Sequence, residues 1–259
     1  LYEAPVLLIP QNNSTNNFLI PNLQWQAVPN ASSYTLQVST NEEFSNLVVN
    51  QSNIANANFH LNNLSYNTSY YWRVKAKNGL LTSVWSEIWS FTTMQEPDYL
   101  SINLISGWNL ISSNVLPLEP VMDSIFNNTE NLVIVKNNAG QVYSPSFGIN
   151  QIGNWDISQG YYVYVTSSSI LQIEGILVNP LETPINLNQG WNLVSYLRNS
   201  EMLAPDALQG ISASMLFAKD KMGNIYHPGY GINTIGNMQP GQGYWIYMNA
   251  PAFLTYPGN

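Results

Sequence analysis

The chain has no cysteine in its 259 residues, so neither a disulfide nor a thiolate metal site can be built from it. Charge is nearly as scarce. Asp, Glu, Lys and Arg make up 8% of the sequence, against roughly 25% in a typical soluble domain. Seven residues are Lys or Arg and the formal net charge is -8, which leaves no electrostatic footprint for nucleic acid or an anionic lipid surface. Histidine occurs twice, as His60 and His227, too far apart in sequence to announce a ligand cluster. No apolar run reaches the roughly 18 residues of a membrane span. The sequence opens on Leu1 without an initiator Met or a signal segment, and reads as a processed or excised stretch of a mature protein.

What is present is apolar, aromatic and rich in amides. Hydrophobic residues account for 45% and aromatics for 12%, the composition of a folded chain with length for two or three domains. Solubility then rests on Asn, Ser, Thr and Gln, a surface that fits an extracellular or cell-surface protein. Glycosylation sequons stand at Asn12, Asn13, Asn30, Asn50, Asn63, Asn67 and Asn127. With Asn so abundant, chance produces several of them, and we read them as unmodified.

Residues 18–93 alternate in short strands separated by turn residues. In "YTLQVST" (34–40) Tyr34, Leu36 and Val38 share one face; in "SYYWRVKAKN" (69–78) Tyr70, Trp72, Val74 and Ala76 do so, with Arg73, Lys75 and Lys77 opposite. Together with Trp25 and the closing "WSFTT", these stretches resemble a fibronectin type III domain over about residues 4–94. The resemblance implies a seven-stranded sandwich, a tyrosine corner formed by Leu64 and Tyr70, and service as a spacer more than as a binding module.

The rest of the chain is written twice. "FGINQIGNW" (147–155) returns as "YGINTIGNM" (230–238), and 231 minus 148 gives an offset of 83. The same offset relates "INLISGWNLIS" (102–112) to "INLNQGWNLVS" (185–195) and "QGYYVYV" (159–165) to "QGYWIYM" (242–248). Each copy reads as a small β module with a short helix, near Pro120 to Phe126 and near Pro205 to Leu208. Gly148, Gly153, Gly231 and Gly236 can supply positive φ, and Asn150 and Asn233 can bond their own backbone, so the twin loop reads as a rigid corner. Both copies resemble "GWNLIS" and "GINxIG" modules of secreted surface proteins of Bacteroidota-like bacteria, a likeness that implies a cell-surface setting and no transferable activity.

Little in the sequence points to catalysis. Asp123 and Asp206 are the acids that recur at the repeat offset, and a position near a helix start explains them as caps. Lys136 and Lys219 recur too, at a strand end, where solubility or edge protection accounts for them. No nucleophile elbow, zinc motif or phosphate loop occurs. The aromatics are more informative. Tyr162 and Tyr164 in the first copy, and Trp245 and Tyr247 in the second, fall on the strand face opposite Tyr161 and Tyr244. They are either buried beneath the short helix or form a platform for a sugar ring or a neighbouring subunit. Trp155 belongs to the same question.

The expectation is therefore an all-β chain: a fibronectin type III domain at 1–94, a linker at 95–101, one β module at 102–175, a linker at 176–184 and a second module at 185–259. The two modules should stand in fixed relation, with Ile176, Leu177 and Val178 packed against one or both and any flexibility near Glu96 to Tyr99. We expect no enzyme, no cofactor, no metal, no nucleic acid and no membrane span. The function expected is a self-associating subunit of a surface fibre, filament or adhesive layer, binding itself and in some settings surface polysaccharide. The alternative is a carbohydrate-binding accessory segment of a larger secreted enzyme.

Overall fold

Alternation along Ser69–Asn78 organises the first part of the computed structural model, which describes residues 3–259; the expected domain start at residue 1 lies outside them. Tyr70, Trp72, Val74 and Ala76 are buried, and this strand pairs with Ser33–Ser39 on one side and Trp89–Thr93 on the other. Leu47–Ile54 extends the sheet at one end and Ser14–Asn17 joins at the other in parallel to Trp89–Thr93. A second sheet of Leu7–Ile9, Asn22–Trp25 and Asn58–His60 closes the sandwich over Leu23, Leu36, Trp72 and Phe91. Burying a side chain such as Leu36 or Phe91 contributes about 1.5–3 kcal/mol, and these rows supply the unit's stability.

Tyr70 makes the expected corner: its phenol oxygen accepts the Ser65 N–H at 2.9 Å, beside buried Leu64. This unit, which runs to Glu96, is a two-sheet β-sandwich, the architecture that the fibronectin type III resemblance implies. Its solvent side is more engaged than alternation shows. The Arg73 guanidinium lies 3.9 Å from the Phe44 ring centroid and 4.5 Å from that of Trp85, and donates to Gln37 Oε1.

The remaining chain, Pro97–Asn259, is one compact unit holding both copies of the repeat. The first copy builds a five-stranded antiparallel sheet in the order Gly107–Ile111, Tyr161–Val165, Leu132–Lys136, Val142–Ser144, Ile149–Asn150. The second repeats it with Gly190–Ser195, Gly243–Met248, Met215–Lys219, Ile225–His227 and Ile232–Asn233. One short helix per copy, Met122–Ile125 and Ala204–Ala207, packs on the core face of its sheet, among Tyr161, Val163 and Val165 or among Tyr244, Ile246 and Met248.

Structure reaches into both expected linkers. Asp98–Leu104 is a strand paired in full with Ser169–Leu177, so residues 98–101 belong to the first module, and Tyr99 Oη donates to Glu174 Oε1 at 3.0 Å. Ser169–Leu177 also carries Val115–Pro117 on its other side. At Gly175 a Cβ would stand 2.3 Å from the Leu116 carbonyl oxygen, so only glycine lets the two strands approach this closely. Of the second expected linker, Leu177 packs against the first module's core and Val178 against the second's.

Candidate aromatic binding face

Period-two alternation puts every second residue of the repeated sheets on the side away from the core and helix. In the first copy the cross-strand register lines up Ile134, Tyr164 and Trp108 in one row and Lys136, Tyr162 and Leu110 in the next. In the second copy the rows are Phe217, Tyr247, Trp191 and Lys219, Trp245, Leu193. The helices lie on the opposite side, so of the two alternatives burial of this face beneath them is not what the chain does. Tyr162, Tyr164, Trp245 and Tyr247 are half-buried, while Trp108 and Trp191 are 46% and 43% exposed.

The rings form one connected surface. Trp108 meets Tyr162 and Tyr164 edge-on at centroid distances of 6.0 and 5.2 Å, and Trp191 meets Trp245, Tyr247 and Phe217 at 5.8, 5.3 and 5.3 Å. Edge-to-face packing of this kind fixes ring planes, and Trp108 and Trp191 still keep much of their surface exposed. The two halves join where Tyr162 and Trp245 lie 6.3 Å apart, with the indole N–H donating to the phenol oxygen at 2.9 Å. Beyond Phe217 the second copy carries on through His227 to Tyr230.

The modules are held together by reciprocal contacts. Ile111 bridges Gln242 while Val194 bridges Gln159, each pair being the other shifted by the repeat offset. Ser112 N–H donates to Gly241 O at 3.0 Å, and Ser195 N–H donates to Ser158 O at 3.2 Å. The Ser112 and Ser195 hydroxyls donate to the Gln242 and Gln159 carbonyls at 2.6 and 2.9 Å. Reciprocity of this sort is the signature of an approximate two-fold axis, so the two copies pair as an isologous dimer does. The aromatic face crosses that axis without a break.

Both recurrent lysines belong to the face. Lys136 Nζ stands 5.2 Å from the Trp108 ring centroid, and Lys219 Nζ stands 4.7 Å from that of Trp191. Edge protection does not explain them, because each sits on a strand flanked on both sides. Trp155, by contrast, leaves the platform. It is 5% exposed in the first module's core, with its ring 4.2 Å from that of Tyr161. The sequence reading missed Trp108 and Trp191. Their signal was the repeated "GWN", in which Trp alternates with a buried Asn109 or Asn192.

The twin loops are corners. Gly148 and Gly231 both have φ 62, and Gly153 and Gly236 have φ 76 and 71. The Gly153 and Gly236 N–H groups donate to the side-chain oxygens of Asn150 and Asn233 at 2.8 and 3.0 Å. Asp123 serves the same corner. No side chain caps its helix, and its carboxylate instead accepts from Asn150 Nδ2 at 3.1 Å. The Tyr143 phenol is pushed up to about 12 by burial, with the neighbouring Asp123 carboxylate adding to the effect. Burial likewise raises Tyr161 and Tyr244, whose phenol oxygens accept the N–H groups of Asp156 and Gln239 at 2.7 and 2.9 Å.

Among the described residues no three His, Cys, Asp or Glu side chains gather as a metal ligand set, and no helix is long and apolar enough to cross a membrane. No protein-family model and no curated protein sequence matches the chain. Solved structures similar to it include a fibronectin-like protein from Clostridium thermocellum, 23% identical, covering 36% of this chain and 97% of that one with a TM-score of 0.29. The chicken interferon gamma receptor alpha chain is 15% identical over 70% of this chain and 85% of its own, with a TM-score of 0.31. An α-L-rhamnosidase from Dictyoglumus thermophilum is 11% identical over 100% of this chain and 48% of its own, with a TM-score of 0.34. None of these likenesses gives the chain an activity or a partner.

Proposed function

We propose that this is a non-catalytic extracellular binding segment. In this reading the fibronectin type III unit is a spacer and the paired modules hold an extended carbohydrate. The observation that carries it is the row of half-exposed rings on the sheet face, led by Trp108, Trp191 and Trp245. Such rings have little conformational entropy to lose and present apolar faces that match the C–H faces of pyranose rings. An exposed sheet face suits a polymer lying across it better than a small substrate held on all sides. The test is binding of the intact chain to a panel of plant, algal and bacterial polysaccharides by affinity electrophoresis. Retardation by at least one polymer, lost in Trp108→Ala/Trp191→Ala, is the expected result; retardation by none overturns the reading.

A second reading, a self-associating subunit of a surface fibre or adhesive layer, is favoured by a different observation. The corner loops expose Phe147 and Tyr230, equivalent residues, to 77% and 78%. Light scattering of the purified chain at rising concentration tests it, and a monomer throughout counts against it.

A further inference from the structure

We infer that the carbohydrate is acidic, and that Lys136 and Lys219 meet its anionic groups at two equivalent half-sites; the inference rests on the binding reading above. The charge distribution carries it. Of the seven Lys and Arg in the chain, four fall in the unit Pro97–Asn259: Lys136, Arg198, Lys219 and Lys221. Arg198 is buried and spends its guanidinium on the carbonyls of Pro257 and Gly258 and on Ser200 Oγ. Two of the three remaining cations therefore stand on the aromatic face, in a chain whose net charge is -8. No Asp or Glu occupies the cross-strand rows that form that face. The surface is locally positive and aromatic on an acidic protein, the complement of a polymer of sugar rings bearing carboxylate or sulfate.

Position supports the assignment. Each ammonium is held over an indole ring, Lys136 on Trp108 and Lys219 on Trp191, so a sugar packed against the part of that indole left exposed brings its substituents beside the cation. The two-fold relation makes the halves equivalent, and one polymer crossing the axis engages both, which multiplies two weak contacts into one stronger attachment. A second copy of the chain meeting this face with its own would set Lys136 and Lys219 against like charges, which makes it a poorer occupant.

Affinity electrophoresis and titration calorimetry on the intact chain test this with paired polymers: polygalacturonate against its carboxyl-reduced form, and dextran sulfate against dextran. We expect at least one anionic polymer to bind about tenfold more tightly than its neutral partner, a preference that shrinks as salt rises. Lys136→Gln/Lys219→Gln should abolish the preference and leave neutral binding in place, whereas Trp108→Ala/Trp191→Ala should weaken both. Polygalacturonate and dextran sulfate also separate carboxylate from sulfate as the group recognised. Equal binding of charged and neutral partners, or a preference that survives the lysine substitutions, overturns the acidic assignment while the binding reading stands. If none of the four polymers binds and the wider panel does not either, both fail.

Discussion

The indole N–H of Trp245 donates to the phenol oxygen of Tyr162 at 2.9 Å, and the two residues occupy the same position in the two copies of the repeat. A residue can meet its own counterpart only on or near a two-fold axis. This bond therefore marks where the axis pierces the aromatic face.

Tyr162→Phe removes the acceptor and leaves both rings in place. We expect a loss of about 0.5–1.5 kcal/mol in urea unfolding, the usual net worth of one hydrogen bond. Trp245→Phe should cost more because it also removes ring area. In the double variant the two losses should fall short of additive by the energy of the bond. Strict additivity would show that the contact contributes nothing.

Glycine at the seam is a second test. A Cβ on Gly243 would stand 2.8 Å from the Ile111 carbonyl oxygen, and one on Gly160 would meet Leu193 Cδ1 and Val194 O at 3.1 Å. Gly243→Ala should cost about 1–3 kcal/mol, the range for overpacking, and Gly160→Ala less. Gly210→Ala, with open space around it, should stay within about 0.5 kcal/mol. Amide exchange at Ile111, Ser112 and Val194 should quicken in the seam variants, and unchanged exchange there would contradict the mechanism.

A single module is a third. Cut from its twin, the first copy exposes Ile111, Ser112 and the Gln159 carbonyl that now bond across the axis. Two such copies can restore every reciprocal contact, so residues 97–184 expressed alone should dimerise in sedimentation equilibrium. A well-folded monomer at high concentration would show that the seam depends on the connecting chain.

The buried phenols set an alkaline limit. Burial raises Tyr161, Tyr196, Tyr226, Tyr244 and Tyr256, and it raises Tyr143 to about 12, from an ordinary value of 10.0. A folded-state value above the unfolded one means that the unfolded chain releases its proton first. Stability from these groups is thus complete below about pH 10 and falls as pH rises toward 12 and beyond. Phenolate absorbance from these residues should rise together with loss of the near-ultraviolet dichroism of Pro97–Asn259. Reversible ionisation with intact dichroism would refute it.

Much of this was legible in the residues, for physical reasons that also mark the limit. Strict alternation fixed which side of Ser69–Asn78 is core, since a strand offers only two faces. The twin glycines identified corners because positive φ is a local demand. Position along the chain, however, does not say what covers a sheet face, so Tyr162 and Trp245 could not be placed until the helices were seen on the other side. Trp155 lies in a loop, where no period assigns a face; its backbone N–H donates to Pro120 O at 2.6 Å, and its ring packs inward against Phe126 and Tyr161. Position alone assigns Lys136 to a strand end and Asp123 to a helix start, whereas their partners, Trp108 and Asn150, come from other elements.

The two-fold seam has one more consequence, for how the protein can change. In an assembly of identical chains, any substitution appears on both sides of the axis at once. Here the halves are encoded separately, and they have already drifted apart: Ile134 answers to Phe217, Ser144 to His227, and Trp155 to Met238. The seam residues Ser112 and Ser195, Gly160 and Gly243, have not moved. The duplicated gene keeps the geometry of a symmetric pair and frees each half of its surface to acquire a different taste.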